Sequence, residues 1–288
     1  MGKNKGLHGP FMTLFDLIKL NLGRYRENPV IAVPTVTVMI VYMLTSRLTP
    51  LSGVTDDIGT NYFMGFGILF LNLAVPFLGL LGQVSMTGKI VGGGKADLDD
   101  WIEGFRAYFS RVLGVSLVYL GTLMILAILL MGAYFANVIP PLASQIGLIT
   151  NETVTQVLNS PLSIATILGF TLIDAATTAF LYMWTAPIVF DDQRVFDSLR
   201  LGSRASKEGR LKFLGLIAIM FVAHGITALI NYVPLYLSLS TELIINQGYN
   251  TLSTLVSQTI RAIFSPLWLL IAFTIYHRSP LHLVETHN

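Results

Sequence analysis

Three stretches of this chain leave little room for a soluble fold. Tyr62 to Leu81 and Val112 to Gln145 contain no Asp, Glu, Lys or Arg, and Leu162 to Phe190 contains one, Asp174. A run of about 18 or more apolar residues, coiled as a helix, is long enough to cross a ~30 Å hydrocarbon layer. A soluble fold needs charge to cover its surface, typically about a quarter of its residues. Here only 12% are charged and 53% are hydrophobic. The pattern predicts an all-α, polytopic integral membrane bundle. Six transmembrane helices are expected at about 30–46, 62–84, 112–138, 162–189, 213–237 and 252–276. The first is the weakest, being short and holding Pro34 in its first turns.

Lys and Arg set the expected direction of these spans, because basic residues accumulate on the cytoplasmic side. Sixteen of them precede span one, separate spans two and three or four and five, or follow span six. The three opposite loops hold only Arg47, and Arg261 falls inside span six. Both termini are therefore expected in the cytoplasm of a multi-pass cell-membrane protein. The outer loops carry Asp56, Asp57, Glu152 and Glu242, and the one glycosylation sequon, Asn151-Glu152-Thr153, falls in the second of them. Asn151 is thus a candidate acceptor in a host with the machinery. The N-terminal apolar stretch, Phe11 to Leu22, is broken by Asp16 and Lys19 and does not read as a cleavable signal.

Each inner basic segment before an odd-numbered span contains the same short pattern: apolar, apolar, acid, any residue, apolar, base. It occurs as Leu14-Phe15-Asp16-Leu17-Ile18-Lys19, as Trp101-Ile102-Glu103-Gly104-Phe105-Arg106 and as Val195-Phe196-Asp197-Ser198-Leu199-Arg200. The pattern suits a short amphipathic helix lying on the inner membrane surface. In the second copy Trp101, Phe105, Tyr108, Phe109 and Val112 share one face, while in the first Leu17 and Leu20 fall off the main stripe. Asp97, Asp99 and Asp100, and then Asp191 and Asp192, are candidate N-caps. A single membrane domain of three two-span repeats follows, over 11–90, 97–190 and 192–278, each led by a surface helix and related by rotation about the membrane normal. Each inward span also holds a proline: Pro76, Pro187 or Pro266.

With the acid–x–x–Arg pattern of Glu103 to Arg106 and Asp197 to Arg200, and Ala186-Pro187-Ile188-Val189 ending span four, the chain resembles a group of uncharacterised prokaryotic six-span membrane proteins. It is similar to the membrane domain fused to some glycerophosphodiester phosphodiesterases. The resemblance covers nearly the whole chain and implies a membrane domain. The phosphodiesterase catalytic domain has no counterpart here, so no enzymatic activity carries over. Mitochondrial carriers also have three two-span repeats, but none of the twelve prolines here is followed by their Pro-x-acid-x-x-base signature.

Three ionisable side chains fall within spans: Asp174, His224 and Arg261. At ~1.5 Å per residue, Asp174 is ~18 Å and Arg261 ~14 Å from the outer ends of their spans, and His224 is near the middle of its own. Charge at such depth is costly unless paired or hydrated. One reading is an Asp174–Arg261 pair that fixes packing, with His224 as a local hydrogen-bond donor. The other is a proton or ion relay, or an anionic-substrate site around Arg261. Asn72 reads as a helix–helix hydrogen bond, Gly92-Gly93-Gly94-Lys95 as a connector, and Tyr62, Trp101 and Tyr276 as interfacial anchors.

A chain without cysteine has no disulfide, thiol nucleophile or cysteine metal site. His282 and His287 lie on the tail, and no metal or other cofactor is called for. The expectation is a non-enzymatic, permease-like or channel-like bundle. The alternative is a membrane scaffold or accessory subunit assembling with partner membrane proteins or lipids. The expected partners are the lipid bilayer and anionic lipid head groups at the inner face, not nucleic acid.

Overall fold

The computed structural model describes residues 12–48, 58–143, 161–238 and 243–279. Among these every regular element is helical. Helix α1 (Leu14–Glu27) opens with a capping box, in which Thr13 Oγ1 accepts from Asp16 N–H and Thr13 N–H donates to the Asp16 carboxylate, both at 3.2 Å. It stops at Asn28-Pro29, because proline lacks the N–H needed to continue the ladder and restricts the residue before it. A 3-10 turn (Pro29–Ala32) leads into α2 (Val33–Leu48). The chain bends by 95° there.

The remaining helices are α3 (Ile58–Val91), α4 (Asp99–Ala143), α5 (Pro161–Phe190), α6 (Val195–Glu208), α7 (Arg210–Ser238) and α8 (Leu243–His277). Five of them, α3, α4, α5, α7 and α8, are long and apolar enough to cross a membrane. Helix α2 alone is about 24 Å long at 1.5 Å per residue, short of the hydrocarbon thickness. It makes a sixth span only when counted with the bent α1 segment.

Two expectations change here. The second surface segment, 97–111, has no end of its own, since α4 runs unbroken for 45 residues from Asp99 to Ala143. No proline or turn-forming cluster interrupts it near 111, so the ladder that starts in the basic segment continues into the span. Nor is α6 capped by Asp191 or Asp192. Its N-cap is Arg194, without a side-chain cap. Asp191 instead accepts a hydrogen bond from Tyr276, and Asp192, at φ 52°, pairs with Arg111 at 2.5 Å.

The Gly92–Gly94 connector closes α3. Gly93 has φ +94°, a conformation glycine takes without penalty, and Gly94 N–H returns to Lys89 carbonyl at 2.8 Å. Lys89 then reaches Asp100 at 2.7 Å and Asp97 at 3.3 Å, tying the end of α3 to the start of α4. The Lys89 ammonium and neighbouring backbone N–H groups hold the Asp97 carboxyl below its ordinary range.

Packing between helices follows a closed circuit. Helix α2 packs on α3 and α8, α4 packs on α3 and α5, and α7 packs on α5 and α8. Inside that circuit α3, α5 and α8 touch one another pairwise. Helix α1 lies mainly against α8, and α6 mainly against α5. The initial turns of α4 lie against α3, where Gly104 comes within Cβ range of Ser85 and the Leu81 carbonyl. Leu17, off the stripe assigned to α1, is the residue that docks it, at 1% exposure, while Phe15 stays exposed. Helix α1 is apolar on two sides, and only the Leu17 side faces the bundle.

The buried core is unevenly placed. Leu81 to Val91 of α3, Ala175 to Ile188 of α5 and Trp268 to Tyr276 of α8 supply most of it, all near the ends that carry the basic segments. Towards the opposite ends the same helices expose Phe66, Phe70 and Leu73, then Ile164, Leu168 and Leu172, and then Leu252, Leu255 and Val256. Buried side chains are thus dense at one end of the three helices and sparse at the other.

Candidate functional site

Asp174, His224 and Arg261 come from α5, α7 and α8, which pack on one another. His224 Nδ1 lies 2.8 Å from Asp174 Oδ2. The contact is not an aligned hydrogen bond, since Nδ1 finds no partner in line. The imidazole is buried and set edge-on to Trp268, with ring centroids 5.2 Å apart. The Asp174 side chain keeps 37% of its surface exposed. Its position is fixed by α5, whose neighbouring Thr171, Ala175 and Thr177 are buried.

The anticipated direct Asp174–Arg261 pair is absent: the carboxylate's close partner is His224, and Arg261 makes no ion pair with any described residue. One carboxylate, one imidazole and one guanidinium thus stand on three helices that pack on one another, α5, α7 and α8.

Arg261 is exposed. Residues three, four and seven apart share a helix face, so Ser257, Ser265 and Trp268 lie on the same side of α8. Ser257 and Trp268 are buried, and Ser265 Oγ meets Tyr182 hydroxyl at 3.0 Å. Buried residues thus flank Arg261 on its side of α8, while Arg261 itself is exposed.

Below this group runs a hydrogen-bonded chain that the sequence does not reveal. Ser265 Oγ donates to Gln83 Oε1 at 3.4 Å, Gln83 Nε2 donates to Thr35 Oγ1 at 3.3 Å, and Thr35 Oγ1 donates to Ala262 carbonyl at 3.2 Å. Tyr182, Ser265, Gln83 and Thr35 join α5, α8, α3 and α2. Gln83, at 2% exposure, is the clearest signal of it in retrospect, an amide inside an apolar span that needs partners on other helices. Asn72 makes a helix–helix hydrogen bond, its Oδ1 accepting from Thr45 Oγ1 of α2 at 3.0 Å.

Asn151, His282 and His287 lie outside the described residues, and so does the Tyr62 side chain. Trp101 is half-buried over Gly82 and donates Nε1–H to Leu78 carbonyl at 2.9 Å. Tyr276 is not an interfacial side chain: it is 1% exposed and bonded to Asp191. No group of three or more His, Asp or Glu side chains suited to a metal ion occurs among the described residues.

Fold and site together define an all-helical chain with five to six helices able to cross a membrane and ionisable groups gathered between three of them. No protein-family model, curated protein or solved structure matches it.

Proposed function

We propose that the chain is a permease-like membrane protein whose solute path opens from the loosely packed end and reaches the Asp174–His224–Arg261 group. The uneven packing of α3, α5 and α8 carries this reading. Their ends by the basic segments are closed by buried side chains, and the exposed faces of Asp174 and Arg261 lie where that packing gives way. An imidazole on a carboxylate is a pair able to pass a proton, and the Arg261 guanidinium on the adjoining α8 supplies a fixed positive charge. Such a group suits movement of a small solute with or against a proton.

Three two-span units around a central axis fit the packing. Each of α2, α4 and α7 touches its own inward span and the inward span of the preceding unit, and each surface segment lies on that preceding inward span. The acid–x–x–base pattern behaves alike in all three copies. Phe15, Ile102 and Phe196, just before the acid, are exposed at 73%, 57% and 82%. Lys19, Arg106 and Arg200 are exposed beside them. Aromatic or aliphatic side chains next to bases suit helices seated among anionic head groups, with the basic ends and both termini in the cytoplasm of a cell-membrane protein.

The alternative, a scaffold or accessory subunit, draws on the Thr35–Gln83–Ser265–Tyr182 chain, which joins helices of all three units. Uptake by proteoliposomes of a panel of small anionic, cationic and neutral solutes separates the two. Permease action gives flux of at least one class above protein-free liposomes, with a pH dependence lost in Asp174→Asn. Flux at the protein-free level across the panel supports the scaffold.

A further inference from the structure

The three surface segments share a pattern but not a surface charge. On α1, Arg24 turns inward and donates from Nη1 to Thr274 Oγ1 at 2.8 Å, which leaves Lys19 and Arg26 exposed. In the first turns of α4, Arg111 pairs with Asp192, which leaves Arg106 exposed. Helix α6 exposes Arg200, Arg204 and Lys207 together, and no described residue makes an ion pair with any of them. At about 100° per residue, Phe196, Arg200 and Lys207 fall within about 40° of one another, with Arg204 about 40° further round. The acids Asp197 and Glu208 lie beyond Arg204, at the edge of this stripe. On the opposite face Ser198, Leu201, Gly202, Ala205 and Ser206 are buried.

That buried face holds α6 against the side of α5 rather than beyond its end. A Cβ at Gly202 would stand 2.4 Å from the Met183 carbonyl oxygen, and Trp184 donates Nε1–H to Ser203 Oγ at 2.9 Å. Met183 comes about two turns, or about 10 Å, before α5 ends at Phe190. With 30 residues α5 is about 45 Å long, the thickness of a bilayer including its head-group layers, so its last turns stand at head-group level on the basic side. The outward face of α6 looks sideways into that layer. There its bases meet phosphate oxygens, Arg200 and Arg204 through planar forks, and the exposed Phe196 reaches the acyl boundary. An acidic segment of a soluble protein would have to approach through the lipid.

We infer that the outward face of α6 is a binding surface for anionic phospholipid, and that this one face, rather than the basic segments in general, gives the chain a preference for such lipid. Arg200, Arg204 and Lys207 hold the phosphate-bearing head group. The surface is separate from the Asp174–His224–Arg261 group, and solute movement plays no part in it.

Spin-labelled phosphatidylglycerol and spin-labelled phosphatidylcholine, each added to the full chain in phosphatidylcholine bilayers, report the fraction of each lipid held at the protein surface. The wild type should favour phosphatidylglycerol by about threefold or more in relative association, and the preference should shrink in high salt. Arg200→Gln, Arg204→Gln and Lys207→Gln, made together, should remove most of it. Lys19→Gln, Arg26→Gln and Arg106→Gln, made together, take the same charge from the other two segments and should leave more than half. Arg200→Lys with Arg204→Lys should also keep more than half, because the charge remains. Equal association of the two lipids with the wild type overturns the surface, and so does a preference that both triple variants reduce alike. Flux is read separately in proteoliposomes, so failure here leaves the permease reading standing.

Discussion

Replacing Asp174 by Asn keeps the side chain's size and takes away its charge, which isolates what the carboxylate does for His224. The two groups stand 2.8 Å apart, and the imidazole is 9% exposed against 37% for the carboxylate. Removing one partner of a fully buried pair costs about 3–5 kcal/mol. With over a third of the carboxylate surface open, and with the contact poorly aligned, the loss should be about 1–2 kcal/mol. Equilibrium unfolding in mixed micelles measures it, in a double-mutant cycle with His224→Gln. The Asp174–His224 coupling should be about 1 kcal/mol or more, whereas the cycle of Asp174→Asn with Arg261→Gln should show less than half of that, since those groups do not touch. A larger coupling to Arg261 than to His224 would refute the pairing assigned here.

Other outcomes follow from packing and charge. Gly104→Val should destabilise by about 1–3 kcal/mol, because even its Cβ would stand 2.6 Å from Ser85 Cβ and 2.7 Å from the Leu81 carbonyl oxygen. Gly121→Ala, with nothing within 4 Å, should be neutral or stabilising by up to about 1 kcal/mol in the same assay. Gln83→Leu should lower stability by about 1–3 kcal/mol by leaving Ser265 and Thr35 without their amide partner. Arg111→Gln should cost under about 1 kcal/mol, and less in high salt, because its partner Asp192 is 88% exposed. The Asp97 carboxyl is held low in the folded state, so its contribution is present above its unfolded value near 3.9 and is lost as pH falls through the lower folded value. Asp97→Asn should therefore reduce the loss of stability on acidification below about pH 4, read by unfolding midpoints.

The helices were legible because their cause is local: apolar length marks the spans, and the Gly92–Lys95 connector ends one of them within a few residues. Asp174, His224 and Arg261 were legible as a group because charge inside an apolar span is conspicuous. Which two of them pair was not. Spacing fixes the face a residue occupies on its own helix, but the partner depends on rotation and tilt of another helix. The Gln83 chain escaped for the same reason, its members being ordinary polar residues until α2, α3, α5 and α8 meet. The second surface segment differed because nothing in 97–115 breaks a helix, so amphipathic pattern and apolar span fuse into one rod.

The claim that matters most is that water reaches Arg261 from the end opposite the basic segments. The chain has no cysteine, so single cysteines can be placed without removing any. Thr254 and Gln258, on the Arg261 face of α8 towards the open end, should react with a membrane-impermeant thiol reagent once replaced by cysteine. Cysteine in place of Ser265, where the packing closes, or in place of Ile263, on another side of α8, should not react. The reagent should act from the side opposite Gly93 in oriented vesicles. Labelling at position 258 from that side and none at 265 is the predicted result; protection at 254 and 258 alike would mean a dry bundle and contradict the account.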